Sequence, residues 1–191
     1  MIESGRVTEI FEKTGAMLTG HFLLSSGRHS DRYFQCALVL QYPRYCGELC
    51  RELASRYAGD RVETVVGPAM GGIVLSYEVA RVLGARSLFT ERENGAMTFR
   101  RGFSIAPGER VLVVEDVVTT GGSVSEVIEA VKRAGGVVVG AGVLVDRSGG
   151  RSSLGVRTES LLNIPAVSYS PEECPLCGQG VPFVKPGSRK V

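Results

Sequence analysis

Two carboxylates, Glu115 and Asp116, stand side by side directly after the aliphatic run at residues 111–114. Thr119, Thr120, Gly121, Gly122 and Ser123 follow after the apolar pair Val117 and Val118. Adjacent acids suit a ligand that offers hydroxyl donors, or a cation. The hydroxyls and bare glycine N–H groups that come next suit a phosphate, because glycine lets the backbone approach an anion closely and a following helix aims its positive end at it. Val124, Val127, Ile128 and Val131 recur at helical spacing, so the whole stretch reads as strand, loop, helix. A mononucleotide loop of the form G-x-x-x-x-G-K-[ST] is absent, and here the acids precede the anion cradle. The ligand is therefore expected to carry both hydroxyls and phosphate. A capped turn with no ligand needs one such residue, not this series.

Other groups point to the same place. Residues 62–66 form a second expected strand, running into G-P-A-M-G-G, where Gly67, Gly71 and Gly72 put a bare turn before a helix containing Ile73, Tyr77 and Ala80. Alone this turn is explained as well by structure as by anion binding. If both strands are parallel, as the strand–helix alternation requires, the two turns share one crevice at the carboxyl end of a sheet, where open α/β sheets bind ligands. Residues 137–145 give a long strand whose end delivers Arg147 to that crevice. After the strand at residues 86–89 comes a polar, aperiodic segment, expected to be a mobile lid over residues 91–103; Arg92, Arg100 and Arg101 would bring positive charge over a polyanion. The bland alternative is a solvated hairpin with charged edges.

The elements that position these groups follow from periodicity. Val7, Ile10 and Phe11 suggest a short amphipathic helix ending near Gly15. Residues 22–24 and 33–36 look like short strands flanking a turn that contains Ser25, Ser26 and Gly27, a hairpin-like flap with a polar tip of Arg28, His29, Asp31 and Arg32. Residues 43–58 have helical spacing, with Cys46 and Cys50 on the apolar face as core residues. Residues 161–167 suggest a final strand, and a Pro- and Gly-rich tail should wrap the surface. Its Cys174 and Cys177 form a C-x-x-C without a second pair or a His-x-His partner nearby, so it reads as a reduced structural turn, ahead of a metal site and well ahead of a redox centre; no metal held by protein side chains is expected.

With 191 residues, 43% hydrophobic and 22% charged, the chain fits one enzyme-sized domain. A net charge of +2 gives no general basic field, so nucleic acid is not expected as a partner. No run of ~18 apolar residues is present and the N-terminal stretch lacks an apolar core, so no membrane association is expected and the compartment is expected to be cytoplasmic; five cysteines, an odd number, agree.

The acidic loop with its T-T-G-G-S turn resembles the phosphoribosyl pyrophosphate motif of type I phosphoribosyltransferases, in which two acids hold the ribose hydroxyls and the turn holds the 5′-phosphate. L-L-S-S-G-R-H-S-D-R-Y-F-Q, G-P-A-M-G-G-I, the acidic loop and V-D-R occur in the order found in orotate phosphoribosyltransferases, over nearly the whole chain. The resemblance implies a single α/β domain, with a mostly parallel sheet flanked by helices over a core at residues 41–154. A hood would come from residues 1–40 and 155–191. It implies phosphoribosyl pyrophosphate held by Glu115, Asp116, Val117, Val118, Thr119, Thr120, Gly121, Gly122 and Ser123, and orotate met by Thr119, Arg147, Tyr33 and Phe34. A guanidinium fork suits a carboxylate on a flat heterocycle. It further implies Mg²⁺ bound mainly through substrate, and a homodimer whose loop reaches the neighbouring site.

Better-known members carry lysines in the hood, the first glycine turn and the loop; the matching positions here are Ser25, Gly71, Arg92 and Gly95. A C-P-L-C tail matches a divergent subgroup of the orotate enzymes. Arg92, Arg100 and Arg101 are then the candidates for the role of the absent loop lysine, with Glu115 and Asp116 as the other catalytic groups. Two alternatives share the sugar loop. One is a purine-salvage phosphoribosyltransferase, against which Arg147 argues. The other is a sensor of phosphoribosyl pyrophosphate that regulates through nucleic acid, against which the near-neutral charge argues.

Overall fold

The computed structural model describes residues 4–24, 27–150 and 153–186; Ser25 and Ser26, expected at the hairpin turn, lie outside them. In chain order the elements are α1 (Ser4–Lys13), β1 (Met17–Leu23), β2 (His29–Phe34), α2 (Ala37–Leu40), α3 (Pro43–Ser55), β3 (Thr64–Pro68), α4 (Gly71–Leu83), β4 (Arg86–Glu93), β5 (Ala96–Phe99), β6 (Arg110–Val118), α5 (Gly122–Arg133), β7 (Val137–Asp146), β8 (Thr158–Asn163) and α6 (Pro175–Gly178). Six strands form one sheet in the order β5-β4-β3-β6-β7-β8, parallel throughout except for the β4–β5 hairpin.

The aliphatic run of β6 is buried on both faces because each face has its own cover. Leu112 and Val114, with Val65 and Leu144, pack among residues of α1, α2, α3 and α4. Val111 and Val113, with Val66 and Val143, pack against Val124, Val127, Ile128 and Val131 of α5. Alternation along a strand sends successive side chains to opposite faces, so a continuous apolar run is what a doubly covered strand requires. Pro43 at the first turn of α3 and Gly84 in the left-handed region at the end of α4 mark helix boundaries where their backbone preferences help.

Three segments differ from expectation. The hairpin strands run longer than residues 22–24 and 33–36, because polar residues there gain partners from the tail. His29 and Tyr169 exchange backbone hydrogen bonds of 2.9 Å each, the Leu23 N–H donates to the Val184 carbonyl, and the Ser30 hydroxyl donates to the Val167 carbonyl. The expected polar tip is thus divided. Arg28 is exposed and donates to Ser168, whereas His29 is buried. Residues 91–103 hold a regular hairpin in place of an irregular excursion, with Arg92 paired to Met97 and Thr90 to Phe99. Met97 is buried there, and Phe99 and Phe103 pack on the α5 side of the core, an apolar set hidden in a polar segment. Finally, the last strand, expected over residues 161–167, spans Thr158–Asn163 and extends the central sheet as β8, and α1 packs into the core.

Candidate active site

β3, β6 and β7 run parallel, so the turns that follow them open at one end of the sheet. β6 continues to Val118, which places Glu115 and Asp116 inside its last turn of pleat and not beyond its end. Glu115 is buried while Asp116 is half-buried. Burial first, and then the neighbouring Asp116 charge, push the Glu115 carboxyl up to about 9. The acid pair therefore holds a proton near neutral pH, and it favours any ligand that donates hydrogen bonds or brings positive charge. Cys36, which follows β2, lies with its sulfur 4.0 Å from the Asp116 carbonyl; burial and then the two acids push its thiol up, so it stays protonated. Sequence reading did not single out Cys36, and its only signal is its position at the end of the hairpin.

Past β6 the cradle is open. Thr119, Thr120, Gly122 and Ser123 are exposed, and Gly121 takes a φ of 82° to turn the chain into α5. Among the described residues no hydrogen bond engages the three hydroxyls, and the first-turn N–H groups of α5 face the same opening. Val117 and Val118 contribute backbone only, and the Val118 carbonyl is already taken by the Arg147 N–H at 2.7 Å.

The glycine turn after β3 meets this loop directly. A Cβ on Gly71 would lie 2.7 Å from Asp116 Oδ2, and one on Gly72 would lie 2.8 Å from Pro68 Cδ, so both positions exclude a side chain unless their neighbours move. Gly71, at a position where better-known members carry a lysine, thus brings bare backbone against the Asp116 carboxylate.

Arg147 sits on the third side. Its guanidinium carbon lies 5.1 Å over the Phe34 ring, its Nη2 donates to the Arg32 carbonyl at 3.4 Å, and its Nε is buried with no hydrogen-bond partner among the described residues. Desolvation lowers its affinity for the proton, yet a guanidinium remains charged. The Asp31 charge offsets part of that desolvation, and the unmet Nε donor suits an anionic group. Phe34 and Tyr33 are separated by the strand's alternation: Phe34 lies under Arg147, whereas Tyr33 packs on Phe22 at 5.8 Å.

The loop arginines are all paired with acids, Arg92 with Glu126, Arg100 with Glu93 and Arg101 with Glu91. Arg92 lies within β4 two residues past Thr90, which pairs with the last residue of β3, so it stands roughly 7 Å beyond the end of β3, on the side of the glycine turn. Its partner Glu126 belongs to α5, whose first turn forms the cradle. Arg100 and Arg101 follow Phe99, where the hairpin has returned to the level of Thr90.

The model for the phosphoribosyl transferase domain matches residues 43–154, which hold the glycine turn, the acid pair and Arg147. The chain belongs to the phosphoribosyltransferase family. A relative from Pelotomaculum thermopropionicum, named orotate phosphoribosyltransferase, is 71% identical over 185 residues, covering 97% of each chain. Among solved structures, the orotate phosphoribosyltransferase of Aeropyrum pernix matches with a TM-score of 0.66 and 31% identity, over 82% of this chain and 93% of that one. An adenine phosphoribosyltransferase from Rhodothermus marinus has a TM-score of 0.62 at 21% identity, over 82% and 99%. That likeness shows a shared fold, and a fold alone does not fix a substrate.

The C-x-x-C tail differs from its expected reading as a turn without partners. His21 and His29 of the hairpin meet Cys174 and Cys177, with all four ligand atoms within 4.8 Å of one another. Chain distance hid this, since spacing rules read only neighbours in sequence.

Proposed function

We propose that this crevice transfers the 5-phosphoribosyl group from phosphoribosyl pyrophosphate to orotate, giving orotidine 5′-monophosphate and pyrophosphate in pyrimidine biosynthesis. The observation that carries the choice of base is Arg147, buried, stacked on Phe34 and holding an unmet N–H donor at the end of β7, the strand that pairs with the acid-bearing β6. An orotate carboxylate meets that donor; a purine offers no such group. In the reaction the bond from the anomeric carbon to the diphosphate oxygen breaks, the diphosphate leaves with the electron pair, the orotate ring nitrogen bonds to that carbon, and the nitrogen's proton passes to solvent. No protein nucleophile is required. Glu115 and Asp116 take the ribose hydroxyls and set negative charge beside a sugar that becomes cationic. Thr119, Thr120, Ser123 and the α5 amides hold the 5′-phosphate.

The acid pair, each carboxyl accepting one backbone N–H and leaving its other oxygen free of a backbone donor among the described residues, is a fitting neighbour for hydrated Mg²⁺. When bound, Mg²⁺ would neutralise the diphosphate, taking most of its ligands from substrate and water. No helix among the described residues is long and apolar enough to cross a membrane, which supports the proposed cytoplasmic setting. Met70, which caps α4, and Val74 and Tyr77 on it leave an exposed apolar stripe at helical spacing, which supports a homodimer. We infer a division into a core at about residues 41–154 and a hood from residues 1–40 and 155–191, supported by the hydrogen bonds that join the hairpin to the tail at Val167, Tyr169 and Val184.

The reaction is tested by the loss of orotate absorbance when purified protein, phosphoribosyl pyrophosphate and Mg²⁺ are mixed. Turnover with adenine and not with orotate would overturn the reading. A second expected outcome concerns the loop. Arg92→Ala should reduce turnover more severely than Arg100→Ala or Arg101→Ala, with mild effects on the orotate Michaelis constant, because of the three only Arg92 stands beyond the end of β3 and pairs with α5, the helix that forms the cradle. A guanidinium supplies charge to the leaving group but not a proton. Mixing Arg92→Ala with Asp116→Asn should restore part of the activity through hybrid dimers. Normal turnover in all three single variants would remove the loop from the mechanism. Dead single variants with no recovery, despite proven subunit exchange, would show that each loop serves its own subunit.

A further inference from the structure

We propose that His21, His29, Cys174 and Cys177 form a structural Zn²⁺ site that fastens the tail to the hairpin. His21 Nε2 lies 2.7 Å from His29 Nδ1 and 3.4 and 3.7 Å from the sulfurs of Cys174 and Cys177, and His29 Nδ1 lies 3.2 Å from Cys177 Sγ. Tetrahedral Zn²⁺, with bonds of about 2.0–2.1 Å to nitrogen and about 2.3 Å to sulfur, sets nitrogen–sulfur edges near 3.5 Å and a nitrogen–nitrogen edge near 3.3 Å. The sulfur distances already bracket that edge. The two imidazoles need to part by several tenths of an ångström.

Protonation states favour a cation over a hydrogen-bonded cluster. His21 Nδ1 lies 2.7 Å from the Val181 carbonyl, which only accepts, so the proton sits on Nδ1 and the Nε2 lone pair faces the cluster. This is the outer hydrogen bond that orients metal-binding histidines. If His29 Nδ1 carries a proton, it uses the single Nε2 lone pair and leaves both thiols without that acceptor. If it does not, two lone pairs confront each other at 2.7 Å. A dication resolves both cases, binding two imidazoles and two thiolates while the two thiol protons pass to solvent. The charges then sum to zero, which suits a site where His21, His29 and Cys174 are each at least 96% buried and the Phe183 ring lies 5.0 Å from that of His29. Two nitrogens and two sulfurs select Zn²⁺ among common divalent ions, and four protein ligands leave no open position, so the role is structural.

The ligands come from opposite ends of the chain. β1 and β2 supply the histidines, and the turn around α6 supplies the cysteines. The clasp closes the layer that carries Phe34 and the Arg32 carbonyl to Arg147. It does not depend on the reaction proposed above, because its readout is metal content.

The test uses the full chain without a polyhistidine tag, purified under reducing conditions, reconstituted with Zn²⁺ and dialysed. Mass spectrometry should find about one zinc per chain, falling below about a tenth in Cys174→Ser and in His21→Ala, while the ligand swap His29→Cys retains it. Stripping the native protein with a chelator should lower its thermal midpoint and expose the tail to protease, and Zn²⁺ should reverse both. Co²⁺ in place of Zn²⁺ should show thiolate charge transfer and tetrahedral bands. Native protein without zinc, zinc undiminished in a Cys174→Ser, Cys177→Ser double variant, or stoichiometric iron would each overturn the proposal. If Cys174→Ser does not fold, the cobalt spectrum and the reversible chelation of the native chain still decide it.

Discussion

Asp116→Asn is expected to lower turnover well over tenfold while leaving the chain at least as stable as before. The catalytic loss follows from charge. Asp116 carries the accessible negative charge of the pair beside a sugar that turns cationic, and removing one preorganised electrostatic group costs on the order of 2–4 kcal/mol of transition-state stabilisation. The gain in stability follows from the same repulsion. Glu115 is raised from its ordinary 4.5 to about 9, first by burial and then by Asp116. A carboxyl raised on folding contributes stability that is fully present below 4.5 and is lost as pH rises toward about 9, because the unfolded chain gives up a proton that the folded chain retains. Neutral Asn at 116 removes part of the cause, so the decline in thermal midpoint across that pH window should be shallower in the variant. Turnover equal to the native chain's would sink the role given to the pair. Lost turnover together with a lowered midpoint would mean that Asp116 is needed for the fold, and that the kinetic loss is secondary.

How much of this was legible in the sequence depended on the distance over which each signal acts. The strand, acid pair, cradle and helix from Arg110 to Arg133 are contiguous, and each choice of residue agrees with the next, so local reading located them. Even there the strand ran on to Val118, because backbone pairing with β7 continues past the point where side chains turn polar. Apposition of Gly71 and Asp116 was implied by parallel strands, but their closeness is a packing fact that no periodicity carries. Residues 91–103 were read as irregular since Met97, Phe99 and Phe103 make a sparse apolar pattern, and only the groove beside α5 gives it meaning. The four-residue cluster was least legible. Its histidines lie about 150 positions from its cysteines, although the chain has only two histidines and both fall in the hairpin that the tail must cover. That coincidence is the signal that was there to be used.

Arg147→Ala should raise the orotate Michaelis constant by roughly thirtyfold to several thousandfold, while affinity for phosphoribosyl pyrophosphate changes little. The range corresponds to the about 2–5 kcal/mol lost when one partner of a buried, hydrogen-bonded charge pair is truncated. Burial puts Arg147 in that class, since its Nε is shielded from water and, among the described residues, its guanidinium donates only a long hydrogen bond to the Arg32 carbonyl. Stability should not fall in proportion. In the free chain the guanidinium is desolvated without an acid bonded to it, so its removal relieves a cost even as the contact with Phe34 is lost. Arg147→Lys should rescue poorly, because an ammonium neither forks onto a carboxylate nor stacks flat on an aromatic ring. Titration calorimetry with each substrate separates the possible roles. If the sugar substrate loses as much affinity as orotate does, Arg147 is a phosphate ligand and the base pocket lies elsewhere. If orotate binding is unchanged while uracil becomes no better an acceptor, the carboxylate is recognised by another group, of which Arg32, on the strand that carries Phe34, is the nearest candidate.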